Sequence, residues 1–410
     1  MNTSYEHLQN MMEDVLRQLG YPNEIYHLLK EPSRVLKVRI PVRMDDDKIR
    51  IFTGYRIQHH DLFGVTQGNV HFRPTLTEKE VSALAILRSV KASNLQLPLG
   101  GSCGGVVCDP RELSYRELER LCRGYVRVIQ HVIGPQLDIP SSDASLDPQI
   151  MAWMMDEYSR LNANEDPNFI TGKPFVLGGL KKKEEAIKQG ILQTILSLTE
   201  QHQLDLHNTR ILIHGTGQIG SYLADALYEK GAKIVGISDP QAAIFEEDGI
   251  DIPELWKSKD RFGIITRNKN SITIEELMRQ QADVLILTTK NEQITKELAE
   301  QLHSTFIVET VSHTLEREAI HFLHQQQVQI IPEVLSTTGG IIYAYIEWME
   351  HKQGKKFTDD EITELFGTII KQAIQAVSDI AEQKDVNLYT ASYMIGLRNQ
   401  AEALRFRGWL

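Results

Sequence analysis

Cysteine is scarce, with three residues in 410 (Cys103, Cys108 and Cys122) and no CxxC pair. A disulfide framework or thiolate zinc site is thereby disfavoured, and a reducing cytoplasm is the expected setting. Positive charge is short as well: 44 basic against 55 acidic side chains leave a formal net charge of −11. A chain without a basic face is poorly suited to nucleic acid or an anionic membrane. No apolar run approaches the ~20 residues that cross a bilayer. The first residues, Met1 to Glu13, lack the basic-then-apolar pattern of a secretion signal. What is abundant is ordinary: 41% hydrophobic and 24% charged, the make-up of a globular protein of about two domains.

The first third mixes helices and antiparallel strands. Leu8, Met11, Met12, Val15, Leu16 and Leu19 recur at helical spacing behind the capping pair Thr3 and Glu6. Leu36 to Val42 and Ile49 to Ile57 alternate with a period of two on either side of Asp45-Asp46-Asp47, a strand–turn–strand pattern. Thr77 with Glu80, and Ser114 with Glu117, open two further helices, ending near Val90 and Val132. Between them Gly100-Gly101-Ser102-Cys103-Gly104-Gly105 demands either a tight turn or a close approach of backbone. His59-His60 sits on a strand, where adjacent side chains face opposite ways, so the pair does not suggest a metal.

From Lys183 the pattern changes. Helical stretches alternate with the β-branched runs 211–213, 234–237, 284–287, 306–308 and 328–331, which predicts an α/β, doubly wound parallel sheet. Long helices close the chain. The expected domains are 1–180, 181–342 and a helical segment 343–410 packing back on the first.

Gly215-Thr216-Gly217-Gln218-Ile219-Gly220 follows the run Arg210–His214 directly and opens a helix. Gly215 permits the turn, Gly217 lets amides approach a pyrophosphate, and Gly220 lets the helix pack on the sheet. Asp239 lies 19 residues beyond Gly220, the spacing of a carboxylate that accepts from a ribose 2′-hydroxyl. A carboxylate there repels a 2′-phosphate, so the expected cofactor is NAD rather than NADP. The alternative is a glycine-rich turn with no ligand.

The chain resembles the glutamate dehydrogenase family, within the wider group of glutamate, leucine, phenylalanine and valine dehydrogenases. The resemblance is carried by Val38-Arg39-Ile40-Pro41-Val42, Phe52-Thr53-Gly54-Tyr55-Arg56, Thr77-Glu78-Lys79-Glu80-Val81, Asp138-Ile139-Pro140, Thr171-Gly172-Lys173-Pro174 and Arg405-Phe406-Arg407-Gly408-Trp409. It implies a substrate and assembly domain, an NAD domain, a cleft between them and usually a homohexamer. It also implies reversible NAD-dependent deamination of an L-amino acid to a 2-oxo acid.

Carried over residue by residue, the family's proton-exchanging aspartate falls at Asp143 and a substrate-carboxylate lysine at Lys91. The catalytic lysine position is Cys103, and the lysine that holds the side-chain carboxylate is Gln67. A thiol offers a neutral donor or an anion, never a cation. A serine that helps hold the same carboxylate corresponds to Ala344. At the nicotinamide end a threonine corresponds to Ile187 and an asparagine to Ser312. No histidine neighbours Cys103 in sequence to act as its base, so the thiol reads as a small residue filling a lysine slot. Three functions remain open: an amino-acid dehydrogenase with an altered, less polar substrate; a non-catalytic paralogue that binds nucleotide or co-assembles with a true glutamate dehydrogenase; and new chemistry at Cys103.

Overall fold

The computed structural model describes residues 4–143, 146–163, 166–181, 185–259, 264–265, 271–289, 293–311 and 314–409. Two compact units divide the chain. The first takes 1–186, 340–369 and 393–410; the second takes 187–339 and 370–392. The C-terminal segment 343–410 is therefore shared between the units rather than assigned whole to the first.

In the first unit, β1 (Arg34–Arg43), β2 (Ile49–Gln58), β3 (Thr66–Phe72), β4 (Gly100–Val106) and β5 (Asp138–Ser142) form one sheet, in the order β1-β2-β4-β3-β5. β1 and β2 pair antiparallel with Arg34 opposite Gln58 and Arg43 opposite Ile49, while β3 runs parallel to both β4 and β5. The helix Glu78–Asn94 starts where Thr77 accepts from the Glu80 amide, and Tyr115–Ile129 starts at a complete Ser114–Glu117 capping box.

The glycine-rich segment is not a turn but β4 itself, buried along its whole length. Close approach explains its composition. A Cβ on Gly101 would lie 2.3 Å from both Ala85 O and Ser89 N, and one on Gly100 would lie 1.9 Å from His60 O. The helix Glu78–Asn94 thus lies directly on the strand's backbone.

On the opposite face the sheet is pinned by a buried pair. Arg56 Nε and Nη2 donate to the two Asp138 carboxylate oxygens, each at 2.6 Å, and Ser102 and Gln58 also donate to that carboxylate. Both side chains are fully buried, so the fork-to-fork geometry is what offsets their desolvation. The helix Tyr115–Ile129 packs on this face, with Leu121, Tyr125, Val126 and Ile129 in its core. Lys173 and Glu347 make a second buried pair at 2.7 Å, with Glu347 also accepting from the Gly172 amide.

The second unit holds a seven-stranded sheet: β6 (Arg210–His214), β7 (Lys233–Ser238), β8 (Ala243–Phe245), β9 (Ser271–Ile272), β10 (Gln281–Leu287), β11 (His303–Glu309) and β12 (Gln329–Ile331), in the order β12-β11-β10-β6-β7-β8-β9. The five strands expected from β-branched runs are all present and pair parallel. β8 and β9 form a short antiparallel edge that the runs do not announce. The chain order reverses at β6, between β7 and β10, which is where a doubly wound sheet opens a crevice for a ligand.

Candidate active site

In the second unit the Gly215–Gly220 loop leaves β6 and enters the helix Gln218–Glu229. The three glycines have three different reasons. Gly215 has φ +109°, a conformation L side chains avoid, and Gly220 sits so close that a Cβ would be 1.9 Å from Gly215 O. A Cβ on Gly217 would meet nothing within 4 Å: its space is open. Gly217 and Gln218 are exposed and Ile219 half-buried, so the first-turn amides form an anion cradle that fits a pyrophosphate.

Asp239 follows β7 and is only 2% exposed. It accepts from the amides of Gln241 and Ala242 on one oxygen and from Ile265 on the other. Its evident work is to organise the loop beyond β7, and a ribose hydroxyl must share oxygens already engaged. A cleft of about 800 Å³ lies nearby, lined among others by Gln241, Thr273, Gln293 and Thr295. Ile187 begins this unit, and Ser312 lies outside the described residues.

In the first unit, register assembles the other candidates on one sheet face. Gln67 pairs with Gly101 and His71 with Gly105, so Cys103 falls between them; Gln67 also pairs with Ile139, so Asp143, just past β5, comes level with His71. A period of two turns Gln67, His71, Cys103 and Asp143 the same way. That face is covered by the helix Glu78–Asn94, on which Arg88 and Lys91, three apart, share a side. Cys103 is 2% exposed, packed with Tyr55, Ile57, Leu76, Val81 and Ala85.

Two side chains missed in the sequence join this face. The first is Arg88, whose Nη2 donates to Gln67 Oε1 at 3.0 Å. Among the described residues Arg88 forms no ion pair, and the Gln67 Nε2 group, fully buried, has no hydrogen-bond partner. Burial lowers the guanidinium to about 10 against the opposing pull of Cys103, which leaves it a cation at neutral pH.

The second is His71. Its Nδ1 lies 2.9 Å from Asp143 Oδ2, and the register places it on the same face as Cys103. Burial depresses the imidazole, but Cys103 and Asp143 outweigh it and hold His71 up at about 10. No histidine neighbours Cys103 in sequence, but the β3–β4 register brings His71, 32 residues away, onto the same sheet face. Cys108 and Cys122 are different. Burial pushes the first up to about 12 and the second well above the usual thiol range, so both are inert core residues.

His59 and His60 lie just past the end of β2, and their rings come within 4.5 Å instead of facing apart. His59 is held by Leu29 O, and burial lowers both imidazoles, His60 to about 4. Ala344 is fully buried in the helix Gly339–Gln353, a small core residue where the resemblance expected a polar one.

Comparison with known proteins agrees with this geometry. Residues 32–160 match the Glu/Leu/Phe/Val dehydrogenase dimerisation domain, and residues 178–408 match the Glutamate/Leucine/Phenylalanine/Valine dehydrogenase domain. A catabolic NAD-specific glutamate dehydrogenase of Bacillus subtilis is 42% identical over 403 residues, covering 98% of this chain and 95% of the relative. An NAD-specific glutamate dehydrogenase of Staphylococcus aureus is 39% identical over 402 residues, covering 98% and 97%. Among solved structures, glutamate dehydrogenase of Peptoniphilus asaccharolyticus superposes with TM-score 0.89 at 30% identity, covering 99% of both chains. The hetero-hexameric glutamate dehydrogenase of Thermus thermophilus, in its Leu-bound form, gives 0.87 at 31%, covering 98% and 97%. With two family domains spanning most of its length and close relatives matching end to end, the chain belongs to the Glu/Leu/Phe/Val dehydrogenase family.

Proposed function

We propose that the chain is an NAD-dependent dehydrogenase that oxidatively deaminates an L-amino acid with a distal carboxylate, glutamate being the natural choice. The observation that carries the substrate side of this reading is Arg88. The resemblance assigns a lysine at Gln67, and its loss argued for a less polar substrate. The structure brings a guanidinium to Gln67 Oε1 at 3.0 Å and gives it no carboxylate of its own. A cation so placed, beside the unpartnered Gln67 Nε2, suits a substrate carboxylate better than an apolar side chain.

Each residue then has a task. Arg88 and Gln67 hold the distal carboxylate, and Lys91, one turn along the same helix, holds the one next to the reacting carbon. Asp143 sits where the family exchanges protons, so it takes the proton from the substrate ammonium and returns it in the reverse direction. The Gly217–Ile219 amides bind the cofactor pyrophosphate, and NAD when bound accepts the hydride. Close backbone packing of the helix Glu78–Asn94 on β4 fixes Arg88 and Lys91, so the substrate is oriented by a rigid element.

A homohexamer is part of the proposal. Val35, Ile49 and Ile51, at the β1–β2 edge of the first sheet, are 45%, 66% and 51% exposed, an apolar edge that a partner chain would cover. The reading is tested by following NADH formation with glutamate, leucine, phenylalanine and valine as substrates. Glutamate is expected to be the best of the four. If none reduces NAD while calorimetry still detects NAD binding, the chain is a nucleotide-binding regulatory paralogue instead.

A further inference from the structure

We propose that Cys103, His71 and Asp143 form a nucleophile–base–orienter relay, with which this chamber adds the Cys103 thiol covalently to the carbonyl carbon of a 2-oxo acid. Nucleophile beside base, and base fixed by a third group, is the arrangement that activates serine and cysteine on unrelated folds. Here Asp143 Oδ2 fixes Nδ1 of His71 at 2.9 Å, and the β3–β4 register sets Cys103 on the same sheet face, between the levels of Gln67 and His71. Nothing in amino-acid deamination as described above requires the thiol or the histidine. A small filler at position 103 has no need of an oriented imidazole.

The site also has a means of holding its substrate. Gln67 Nε2 is fully buried without a partner, and Arg88 lies on the same amide. Both donors serve a carboxylate, so the electrophile is a carbonyl compound that carries one. The proposal rests on the dehydrogenase reading only in naming the 2-oxo acid, the product side of that reaction.

The step balances without an external oxidant or reductant. Cys103 reacts as the thiolate of a pair in which His71 already holds the proton, and a new bond forms from Sγ to the carbonyl carbon. The carbonyl π pair moves onto oxygen, which takes the proton from His71, giving a hemithioketal. Reversal releases the 2-oxo acid unchanged. The covalent adduct holds the carbonyl carbon at a fixed place on the sheet face, and the enzyme exchanges an entropic search for one reversible bond.

Two readouts on the full-length protein test this. The first is intact mass and peptide mapping after limited 3-bromopyruvate, an irreversible probe of the same chemical class in which Sγ displaces bromide. Label is expected on Cys103 ahead of Cys108 and Cys122, with the rate falling by roughly 10²-fold in His71→Gln, and falling also in Asp143→Asn. Lys91→Met should slow 3-bromopyruvate, whose one carboxylate adjoins the carbonyl, while leaving neutral iodoacetamide little changed. The second is the carbon NMR spectrum of 2-oxoglutarate labelled at the carbonyl: an adduct signal is expected with the wild type and not with Cys103→Ser. The proposal is overturned if label falls first on Cys108 or Cys122, if His71→Gln and Asp143→Asn both label like the wild type, or if Cys103→Ser keeps the adduct signal. Glutamate-dependent NADH formation, measured on the same preparations, separates the two readings. A wild type that reduces NAD but forms no adduct loses only the relay, and one that forms the adduct but reduces no NAD loses only the dehydrogenase.

Discussion

At the residue scale the two proposals turn on Arg88 and His71. Neither announces itself in sequence. Arg88 sits in a helix of ordinary composition, and His71 is 32 residues from the thiol that shares its sheet face. Both become visible only through register, because β3 and β4 are parallel and the covering helix lies on glycines. His71 carries a consequence for stability. Its folded value of about 10 lies above the ordinary 6.5, so its contribution is complete below pH 6.5 and is lost as the pH rises through about 10. Urea unfolding of wild type and His71→Gln should show a stability gap that narrows over that window. A gap that is constant with pH would show that the imidazolium contributes nothing to folding.

Glu309, at the end of β11, gives a slope of the same sign in a lower window. Burial raises its carboxyl from 4.5 to about 7, against the opposing hydrogen bond from Thr314. Between 4.5 and 7 the unfolded group ionises while the folded one keeps its proton, so stability falls as the pH rises through that window. Glu309→Gln should flatten this slope in a denaturation series between pH 4.5 and 7, and an unchanged slope would place the loss elsewhere.

At the scale of elements, the sequence was legible where local rules act alone. Both capping pairs among the described residues start helices where expected, and all five β-branched runs of the second unit are parallel strands. It was illegible where tertiary packing overrides local preference. β4 is mostly glycine, which disfavours strands, yet it is the buried strand on which the helix Glu78–Asn94 rests. The elements give two contrasting expectations. Gly101→Ala forces the helix Glu78–Asn94 away from β4 and should cost about 1–3 kcal/mol in urea unfolding. Gly217→Ala, with open space at its Cβ, should leave the unfolding midpoint in place while weakening NAD binding by calorimetry. Equal effects of the two on stability would contradict the reading of the loop as a cradle kept open for a ligand.

The molecule as a whole keeps its frame and departs from the resemblance in its charge. The buried Arg56–Asp138 pair, the Lys173–Glu347 pair and the glycine contacts hold two units of familiar architecture. Within the first, where the resemblance places lysines at 67 and 103, this chain has Gln67 and Cys103, with Arg88 beside Gln67 and His71 on the same sheet face. Light scattering should find six chains per particle if the proposed homohexamer covers the exposed β1–β2 edge; a monomer would leave that apolar edge unexplained. No helix among the described residues is long and apolar enough to cross a membrane. The proposed role of Arg88 is tested most directly by initial rates of NADH formation over a glutamate series, with wild type and Arg88→Met compared and valine as the reference. Loss of one charge-assisted carboxylate contact, about 1.5–3 kcal/mol, should lower kcat/KM for glutamate by roughly 10- to 150-fold and leave valine nearly unchanged. A wild type that forms no NADH from glutamate, or a variant that loses glutamate and valine equally, would contradict it.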